Sequence, residues 1–227
     1  MDQYRNELKF ICTDAELRMI EERIRCVMQT DQNSGNDGYA IRSVYFDDYQ
    51  NSCMEENEAG TYRRSKFRIR IYDGDTQYIR LEEKIKKDGL GKKETCILTE
   101  DQCNCFLKRE IQHIGAEDPA VMRKLKLEMM LYGMHPVNIV AYDRKAYVYK
   151  AGNVRITFDR NISMSTDVSA FLDSMIPLTP IMPRGYHVLE VKYDDFLPDF
   201  IAGLLEIGTL ERTSFSKYYL SRAAEIY

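Results

Sequence analysis

The sequence is 227 residues long, carries a formal net charge of −4, and is 44% hydrophobic and 30% charged. This length suits one large domain or two small ones, and because a nucleic-acid binder would be basic overall, nucleic acid is not a predicted partner. The first residues, MDQYRNELKF, are polar, and no apolar run approaches the roughly 18 residues of a membrane helix. We therefore expect a cytoplasmic protein that does not insert into a membrane.

The cysteines and histidines do not form a recognisable site. The six cysteines are scattered, and the CNC pair at Cys103 and Cys105 has no second pair at zinc-site spacing. The glycines of DGLGKKET lack the full phosphate-loop motif, so a hairpin turn is the better interpretation. We predict reduced, structural thiols.

The N-terminal half predicts strands with a helix between the first two. A strand around residues 6–12 is followed by Thr13 and Glu16, which form a capping box at the start of a helix. YAIRSVYFDD predicts a second strand, and NSCMEENEAG predicts an acidic loop. Residues 65–98 then predict a three-stranded meander, because the turn signals DGD and KDGLG separate its strands.

The rest of the chain alternates helices and strands. Thr99 and Gln102 open one helix, and Pro119 lies early in the next. IVAYDRKAYVY and NVRITFDRNI predict a hairpin joined by the turn KAGN, and YHVLEVKYD predicts a last strand. Two helices end the chain, the second with Ser214 as a plausible N-cap. We predict about eight antiparallel strands in a single domain, residues 1–227.

Most predicted strands combine an apolar face with a charged face. In FRIRIY, Arg68 and Arg70 alternate with Phe67, Ile69 and Ile71, and side chains in a strand point alternately to opposite faces. This pattern usually indicates an antiparallel sheet with one solvated face. The same alternation places charged or polar side chains together on five further strands: Glu7 and Lys9; Arg80, Glu82, Lys84 and Lys86; Tyr142 and Arg144; Arg155, Thr157 and Asp159; and Glu190 and Lys192.

Two details favour a binding function over a solvated face. Arginines exceed the threonines and serines expected on an exposed strand, and several helices are available to cover the apolar faces. If the sheet closed into a barrel, the charged faces would point inward, and a cation-rich interior would require a polyanion. Arginine suits bidentate phosphate contacts, and carboxylates suit Mg²⁺ or Mn²⁺. This combination is typical of phosphoryl-transfer sites.

Eight motifs carry a family resemblance. YRNELKF, IRSVYFDD, KFRIRIY, LEEKIKKDG, AYDRKAYV, NVRITFDR, VLEVKYDDFLP and SFSKY occur in the order found in the VTC (vacuolar transporter chaperone) domain of the triphosphate tunnel metalloenzyme superfamily. The sequence resembles this family from about Tyr4 to Tyr218. The resemblance implies an α+β fold, a closed eight-stranded antiparallel barrel with helices packed outside. It also implies that ATP or another triphosphate, polyphosphate, and a divalent metal (Mn²⁺ or Mg²⁺) bind.

The resemblance also implies roles for individual residues. Glu190 looks like the main metal ligand, while Glu7 and Glu82 are weaker candidates, for the metal or for orienting basic groups. Tyr142 and Ser216 look like hydrogen-bond donors to phosphate, and Arg42 and Arg80 either line the tunnel or pair with carboxylates. The predicted basic residues of the reaction are Lys9, Arg68, Arg70, Lys84, Arg144, Arg155 and Lys217.

Characterised eukaryotic members move the γ-phosphate of ATP onto polyphosphate, so we predict a polyphosphate polymerase-like phosphotransferase. Two departures matter: Ser214 stands where those domains have a lysine, and Arg5 stands where the related phosphatases and cyclases have a glutamate. Two alternatives stay open. These are a tripolyphosphate or nucleoside-triphosphate hydrolase in the same tunnel, and a non-catalytic polyphosphate-binding module. Any link to a membrane would need a separate partner.

Overall fold

The protein is α+β, with a large antiparallel sheet. A computed structural model describes residues 5–35, 37–58, 63–87, 90–206 and 210–226. The longer strands are β1 (Asn6–Thr13), β3 (Tyr39–Asp47), β4 (Arg63–Tyr72), β5 (Asp75–Lys87), β6 (Leu90–Leu98), β7 (His135–Tyr149), β8 (Val154–Ser165) and β10 (Tyr186–Tyr193). Three two-residue strands are β2 (Gln29–Thr30), β9 (Thr179–Pro180) and β11 (Glu211–Arg212). The α-helices are α1 (Asp14–Ile24), α2 (Ser52–Glu58), α3 (Glu100–Lys108), α4 (Ala120–Leu131), α5 (Asp199–Leu205) and α6 (Lys217–Ile226).

The chain forms two compact units. The first unit comprises Met1–Ala40, Tyr142–Ser163 and Pro180–Ser216, and the second comprises Ile41–Ala141, Met164–Thr179 and Lys217–Tyr227. In the first unit the strand order is β11-β1-β10-β8-β7, with β2 also paired to β7. In the second unit β3, β4, β5 and β6 pair in that order, which confirms the predicted meander.

Helices α1 and α5 cover the apolar side of the first unit. The predicted capping box is present, because the Thr13 hydroxyl accepts from the Glu16 amide at 3.4 Å and the Glu16 carboxylate accepts from the Thr13 amide at 2.8 Å. This box lets α1 begin directly after β1. The core then packs helix residues against the alternate residues of β1, β8 and β10, namely Cys12, Leu17, Ile20, Ile24, Ile156, Phe158, Leu189, Val191 and Ile201.

Helices α3 and α4 pack on β5 and β6 in the second unit. Here too the predicted capping box, Thr99 with Gln102, starts the helix. Phe106 and Leu125 are fully buried, as is Ile69 from the apolar face of β4. Asp73 and Gly74 adopt φ values of 50° and 72°, and this left-handed turn joins β4 to β5.

Two local predictions are wrong. Within the predicted acidic loop the structure has helix α2, whose first turn is stabilised because the Asp48 carboxylate accepts from the Ser52 amide at 3.0 Å. Residues 59 and 60 of that loop lie outside the described residues. Ser214 does not cap the last helix either, because α6 begins at Lys217 and Ser216 directly precedes it.

Three wider predictions have different outcomes. In the part of the chain that the structure describes, no helix is both long enough and apolar enough to cross a membrane. Closure of the sheet into a barrel is not seen in the described strand pairing and stays a prediction. The single domain over residues 1–227 likewise stays a prediction.

Candidate functional site

The charged face of the first unit forms a cluster on four strands. Its residues are aligned in rows across neighbouring strands. In one row, Lys9 on β1 lies opposite Glu190 on β10, which lies opposite Thr157 on β8. In the next row Glu7 lies opposite Lys192, which lies opposite Arg155. We call this set the first-unit cluster; it comprises Glu7, Lys9, Tyr142, Arg144, Arg155, Thr157, Asp159, Glu190 and Lys192.

This cluster is not the solvated face of an ordinary sheet. Glu190 is 4% exposed, Thr157 is 2% exposed and Asp159 is 0% exposed. Charged side chains on a wet face keep their contact with water, because burying them carries a desolvation cost. Burial therefore requires ion pairs or a bound counter-charge here.

Ion pairs connect neighbouring members of the first-unit cluster. The Lys192 ammonium contacts the Glu190 carboxylate, and the Lys9 Nζ lies 3.1 Å from the Glu7 Oε1. Lys9 Nζ also donates to the Phe215 carbonyl at 3.1 Å. The carbonyl directly before Ser216 therefore holds Lys9, which links two predicted phosphate-binding motifs.

Arg144 is held by a buried carboxylate. Its Nε and Nη2 donate to the two oxygens of Asp159 at 2.6 and 2.7 Å, and its guanidinium lies 5.2 Å from the centre of the Tyr142 ring. Burial alone would lower the pKa of Arg144, but the Asp159 carboxylate outweighs burial and holds that pKa well above its usual value. Arg144 is thus oriented and charged before any ligand binds.

Arg155 contacts two side chains that lie outside the eight motifs. Its guanidinium contacts the Asp31 carboxylate and donates to the Tyr39 hydroxyl at 3.3 Å. Gly38, with φ of 91°, lies so close to β7 that a Cβ there would collide with the Arg144 carbonyl oxygen. Only glycine fits this approach, so the segment that carries Tyr39 is fixed against β7.

The charged face of the second unit carries a cluster on β3 to β6. Arg70 lies opposite Ser43 on β3 and Arg80 on β5, while Arg68 lies opposite Tyr45 and Glu82. We call this set the second-unit cluster; it comprises Ser43, Tyr45, Lys66, Arg68, Arg70, Arg80, Glu82, Lys84 and Lys93.

Glu82 organises the cations of the second-unit cluster. It is 1% exposed and accepts from Arg68 Nε at 2.6 Å and from Lys93 Nζ at 3.3 Å, with Arg80 Nη1 at 3.9 Å. Burial would raise the pKa of Glu82, but the charges of Arg68, Arg70 and Lys93 lower it to about 2. Of the two roles predicted for Glu82, these contacts favour orienting the basic groups.

Arg70 is buried, at 5% exposed. Its Nε donates to the Ser43 hydroxyl at 2.9 Å. This hydrogen bond fixes the direction of the guanidinium, and the planar guanidinium group is suited to bidentate contacts with an anion.

Tyr45 belongs to this cluster although no motif singled it out. It is buried, its hydroxyl lies 3.4 Å from Arg68 Nη1, and its ring packs at 5.2 Å from that of Tyr218. Burial would raise the pKa of Tyr45, but Arg68, Arg70 and Lys217 together lower it from 10 to about 8.

We predict that Tyr45 ionises near pH 8. Because its phenolate would neutralise part of the positive charge of Arg68, tripolyphosphate should bind more weakly above pH 8. The measurement is the rise of tyrosinate absorbance with pH, together with tripolyphosphate affinity at pH 7 and pH 9. Tyr45→Phe should remove the ionisation near pH 8, whereas Tyr132→Phe, at an exposed site on the surface, should retain it. Retention of the early ionisation in Tyr45→Phe would contradict the prediction.

Three further predicted residues, Arg42, Arg80 and Lys84, lie on β3 and β5. Arg42 is in register with Ile71, on the opposite face from Arg68, and donates to the carbonyls of Phe171 and Asp173 at 2.8 and 2.5 Å. The structure therefore does not bring Arg42 to the second-unit cluster. Arg80 does share that face, where its guanidinium contacts the Tyr78 hydroxyl, and the more exposed Lys84 lies opposite Lys66 and Lys93.

Ser216 and Lys217 lie where α6 begins, Ser216 before its first residue and Lys217 as that residue. Exposed amide groups at a helix start favour an anion. The charge of Lys217 also acts on the pKa of Tyr45, so Lys217 contributes to the electrostatics of the second-unit cluster.

A divalent metal fits the first-unit cluster only if the phosphates of a bound ligand complete its coordination. Among the described residues, no three acidic, histidine or cysteine side chains group closely enough to hold a metal by themselves. Glu190 and Glu7 share a face as diagonal cross-strand neighbours. Mg²⁺ and Mn²⁺ take one or two carboxylates together with substrate phosphates, and Glu190, with Glu7 near it, offers this donor set.

Some residues of the clusters were not predicted as site residues. Alternation does place Thr157 on the charged face of its strand, between Arg155 and Asp159, but this neutral residue is not among the predicted site residues. Ser43 is neutral and was not singled out, and Asp31 lies in a polar loop far from Arg155 in sequence. Nothing local indicated Asp31, because only the pairing of β2 with β7 fixes the segment that carries it.

The protein is thus an α+β protein with buried arginine–carboxylate clusters on an antiparallel sheet, and sequence comparison supplies the family. The VTC domain profile matches residues 4–226. The chain belongs to the VTC domain family, within the triphosphate tunnel superfamily. Among curated proteins, no relative matches this chain.

One solved structure supports the fold. The chain is similar to a "putative adenylate cyclase" from Bacillus halodurans, with 12% identity, a TM-score of 0.54, and coverage of 91% of this chain and 88% of that one. It also matches the PH1819 protein from Pyrococcus horikoshii OT3, with 16% identity, a TM-score of 0.49, and coverage of 99% and 100%. At these identities the first likeness speaks for the fold alone.

Proposed function

We propose that this chain is a metal-dependent phosphotransferase that moves the γ-phosphate of ATP onto a polyphosphate chain. The observation that carries the proposal is the burial of guanidinium and carboxylate groups together on the charged strand faces, as at Arg70, Glu82 and Glu190. A stable sheet needs no such groups inside, whereas phosphoryl transfer depends on positioning and charge stabilisation. Membership of the VTC family supports a triphosphate or polyphosphate ligand.

The proposed step needs no covalent protein nucleophile. A terminal oxygen of polyphosphate attacks the γ-phosphorus of ATP, a new P–O bond forms in line, and the bond to the bridging oxygen breaks, so that ADP leaves with the electron pair. Arg68 and Arg70 would bind nonbridging oxygens as bidentate donors. Arg144 and Arg155, held by Asp159 and Asp31, would supply fixed positive charge without reorganisation.

Glu190 is the proposed principal ligand of Mn²⁺ or Mg²⁺, with Glu7 near it. When bound, such an ion supplies charge neutralisation at the phosphate oxygens. Lys192 contacts the Glu190 carboxylate and Lys9 contacts the Glu7 carboxylate. Tyr142, Ser216, Lys84 and Lys217 are the further proposed phosphate-binding groups.

Hydrolysis of a triphosphate is the second candidate. Ser214 favours it, because one fewer cation beside the SFSK segment would weaken retention of an acceptor chain and let water take the place of polyphosphate. The chemistry at the γ-phosphorus is otherwise the same, so the products distinguish the two reactions.

The test is incubation of the purified protein with ATP and Mn²⁺, with and without a short polyphosphate primer. Products are resolved on a gel stained for polyphosphate while ADP and free phosphate are measured. Polymer with an equivalent amount of ADP would establish the polymerase. Free phosphate without polymer would establish the hydrolase, and bound ATP or polyphosphate without either product would indicate a binding module.

A further inference from the structure

Thr157 presents a buried hydroxyl that lacks a hydrogen-bond partner. The residue is 2% exposed, and its Oγ1 finds no donor or acceptor among the described residues. Nearly all buried hydroxyls in proteins are hydrogen-bonded, because burying one without a partner costs free energy. A site that retains such a hydroxyl therefore needs a reason other than stability.

The strand register shows which ligand this hydroxyl would meet. Glu190 lies directly opposite Thr157, and Lys9 lies opposite Glu190 on the next strand. Two residues before Thr157, on the same face of β8, Arg155 lies opposite Lys192. Lys9, Arg155 and Lys192 thus lie within two places of register of Thr157, alongside Glu190, and cations at these places favour an anionic oxygen.

The nearest carboxylates are already engaged. Glu190 contacts Lys192, and Asp159, two residues after Thr157 on the same face, holds Arg144 in a bidentate pair. The Thr157 hydroxyl makes no hydrogen bond to either carboxylate. A branched Cβ also restricts χ1, which holds the hydroxyl in one direction on the strand.

We propose that Thr157 is a further phosphate-binding residue of the first-unit cluster. Its hydroxyl donates a hydrogen bond to a nonbridging oxygen of a phosphate chain that Lys9 and Arg155 neutralise, next to the carboxylate of Glu190. This inference rests on the proposed function and adds a neutral donor on β8 to the proposed phosphate-binding residues. A neutral donor adds direction to the binding of a phosphate oxygen without more positive charge.

The test uses two variants and a ligand-free measurement. Thr157→Val keeps the shape and removes the hydroxyl, while Thr157→Ser keeps the hydroxyl and removes the methyl. Calorimetry gives the affinity of each protein for sodium tripolyphosphate at one fixed salt concentration, with and without Mn²⁺. Thermal denaturation without ligand gives the stability of each protein.

The proposal predicts opposite effects of Thr157→Val on stability and binding. Removing an unsatisfied hydroxyl should raise the ligand-free Tm by about 2–4 °C. Losing a hydrogen bond to a charged oxygen should weaken tripolyphosphate binding by about 10-fold. Thr157→Ser should bind within about 2-fold of the natural protein, because one hydroxyl is exchanged for another.

Other outcomes would overturn the proposal. Unchanged binding by Thr157→Val would show that the hydroxyl does not contact phosphate, and a lower Tm would show that it has a structural partner. A natural protein that binds tripolyphosphate without making polymer would overturn the polymerase while the comparison of variants still decides Thr157. No tripolyphosphate binding by the natural protein would overturn both.

Discussion

Glu190→Gln is expected to reduce metal-dependent turnover on the order of 10²- to 10³-fold, the loss typical when one transition-state-stabilising contact is removed. Glutamine has nearly the same shape, but its neutral amide is a poor ligand for a hard cation. Glu190 is buried and contacts Lys192, so the substitution removes a negative charge that the cluster itself neutralises. The variant should remain folded because its backbone pairing with β1 and β8 is unchanged.

Three measurements check this expectation: phosphate transfer from ATP with Mn²⁺, the Mn²⁺-dependent rise in Tm in the presence of tripolyphosphate, and Tm without ligand. The first two should be lost and the third retained. Glu211→Gln, at an exposed site on β11, is the matched control and should behave as the natural protein. Full activity in Glu190→Gln would remove this residue from the site, and loss of folding would make its role structural.

Glu82→Gln is expected to destabilise the protein by about 3 kcal/mol at pH 7. The pKa of Glu82 is lowered from 4.5 to about 2, and each pH unit of such a difference is worth about 1.36 kcal/mol. The carboxylate contributes this stability only while it is charged. The contribution is therefore complete above pH 4.5 and is lost as the pH falls toward 2.

The check is urea denaturation of the natural protein and Glu82→Gln at pH 7, 5 and 3. The difference in free energy of unfolding between them should be largest at pH 7, nearly the same at pH 5, and clearly smaller at pH 3. Glu211→Gln serves again as the exposed control and should show little difference at any pH. A difference that stays constant from pH 7 to pH 3 would mean that the charge of Glu82 does not stabilise the fold.

The comparison of the two carboxylates separates stability from function. Glu82 makes contacts with Arg68, Lys93 and Arg80, and we expect it to act by holding cations in place. Glu190 has a lysine partner on its own strand and lies in the row that contains Lys9 and Thr157. Glu82→Gln should therefore change the free energy of unfolding, whereas Glu190→Gln should change metal-dependent turnover.

Strand alternation and helix caps could be read directly from the sequence. FRIRIY predicts a strand with Arg68 and Arg70 on one face, and the structure pairs both with the same side of β5. Thr13 and Thr99 start their helices because a capping box is complete within four residues. Such features depend on neighbours in sequence, so the tertiary structure had little to add to them.

Helix α2 and the start of α6 show where local patterns failed. The acidic stretch after Asn51 resembles a loop in composition, yet the Asp48 carboxylate accepts from the Ser52 amide and supports a helix. Serine at position 214 suits an N-cap, but the helix begins three residues later. In both places several starts were compatible with the sequence, and contacts of neighbouring segments selected one of them.

The sequence by itself determined which strands carry charge, where helices α1 and α3 begin, and the VTC family. Only the tertiary structure decided that Arg42 lies away from Arg68, that Asp31 holds Arg155, and that the hydroxyl of Thr157 is buried without a described partner. The physical reason is the separation along the sequence over which each interaction acts. Alternation and capping act between residues a few positions apart, whereas register and ion pairing join residues more than 100 positions apart, as between Arg155 and Asp31.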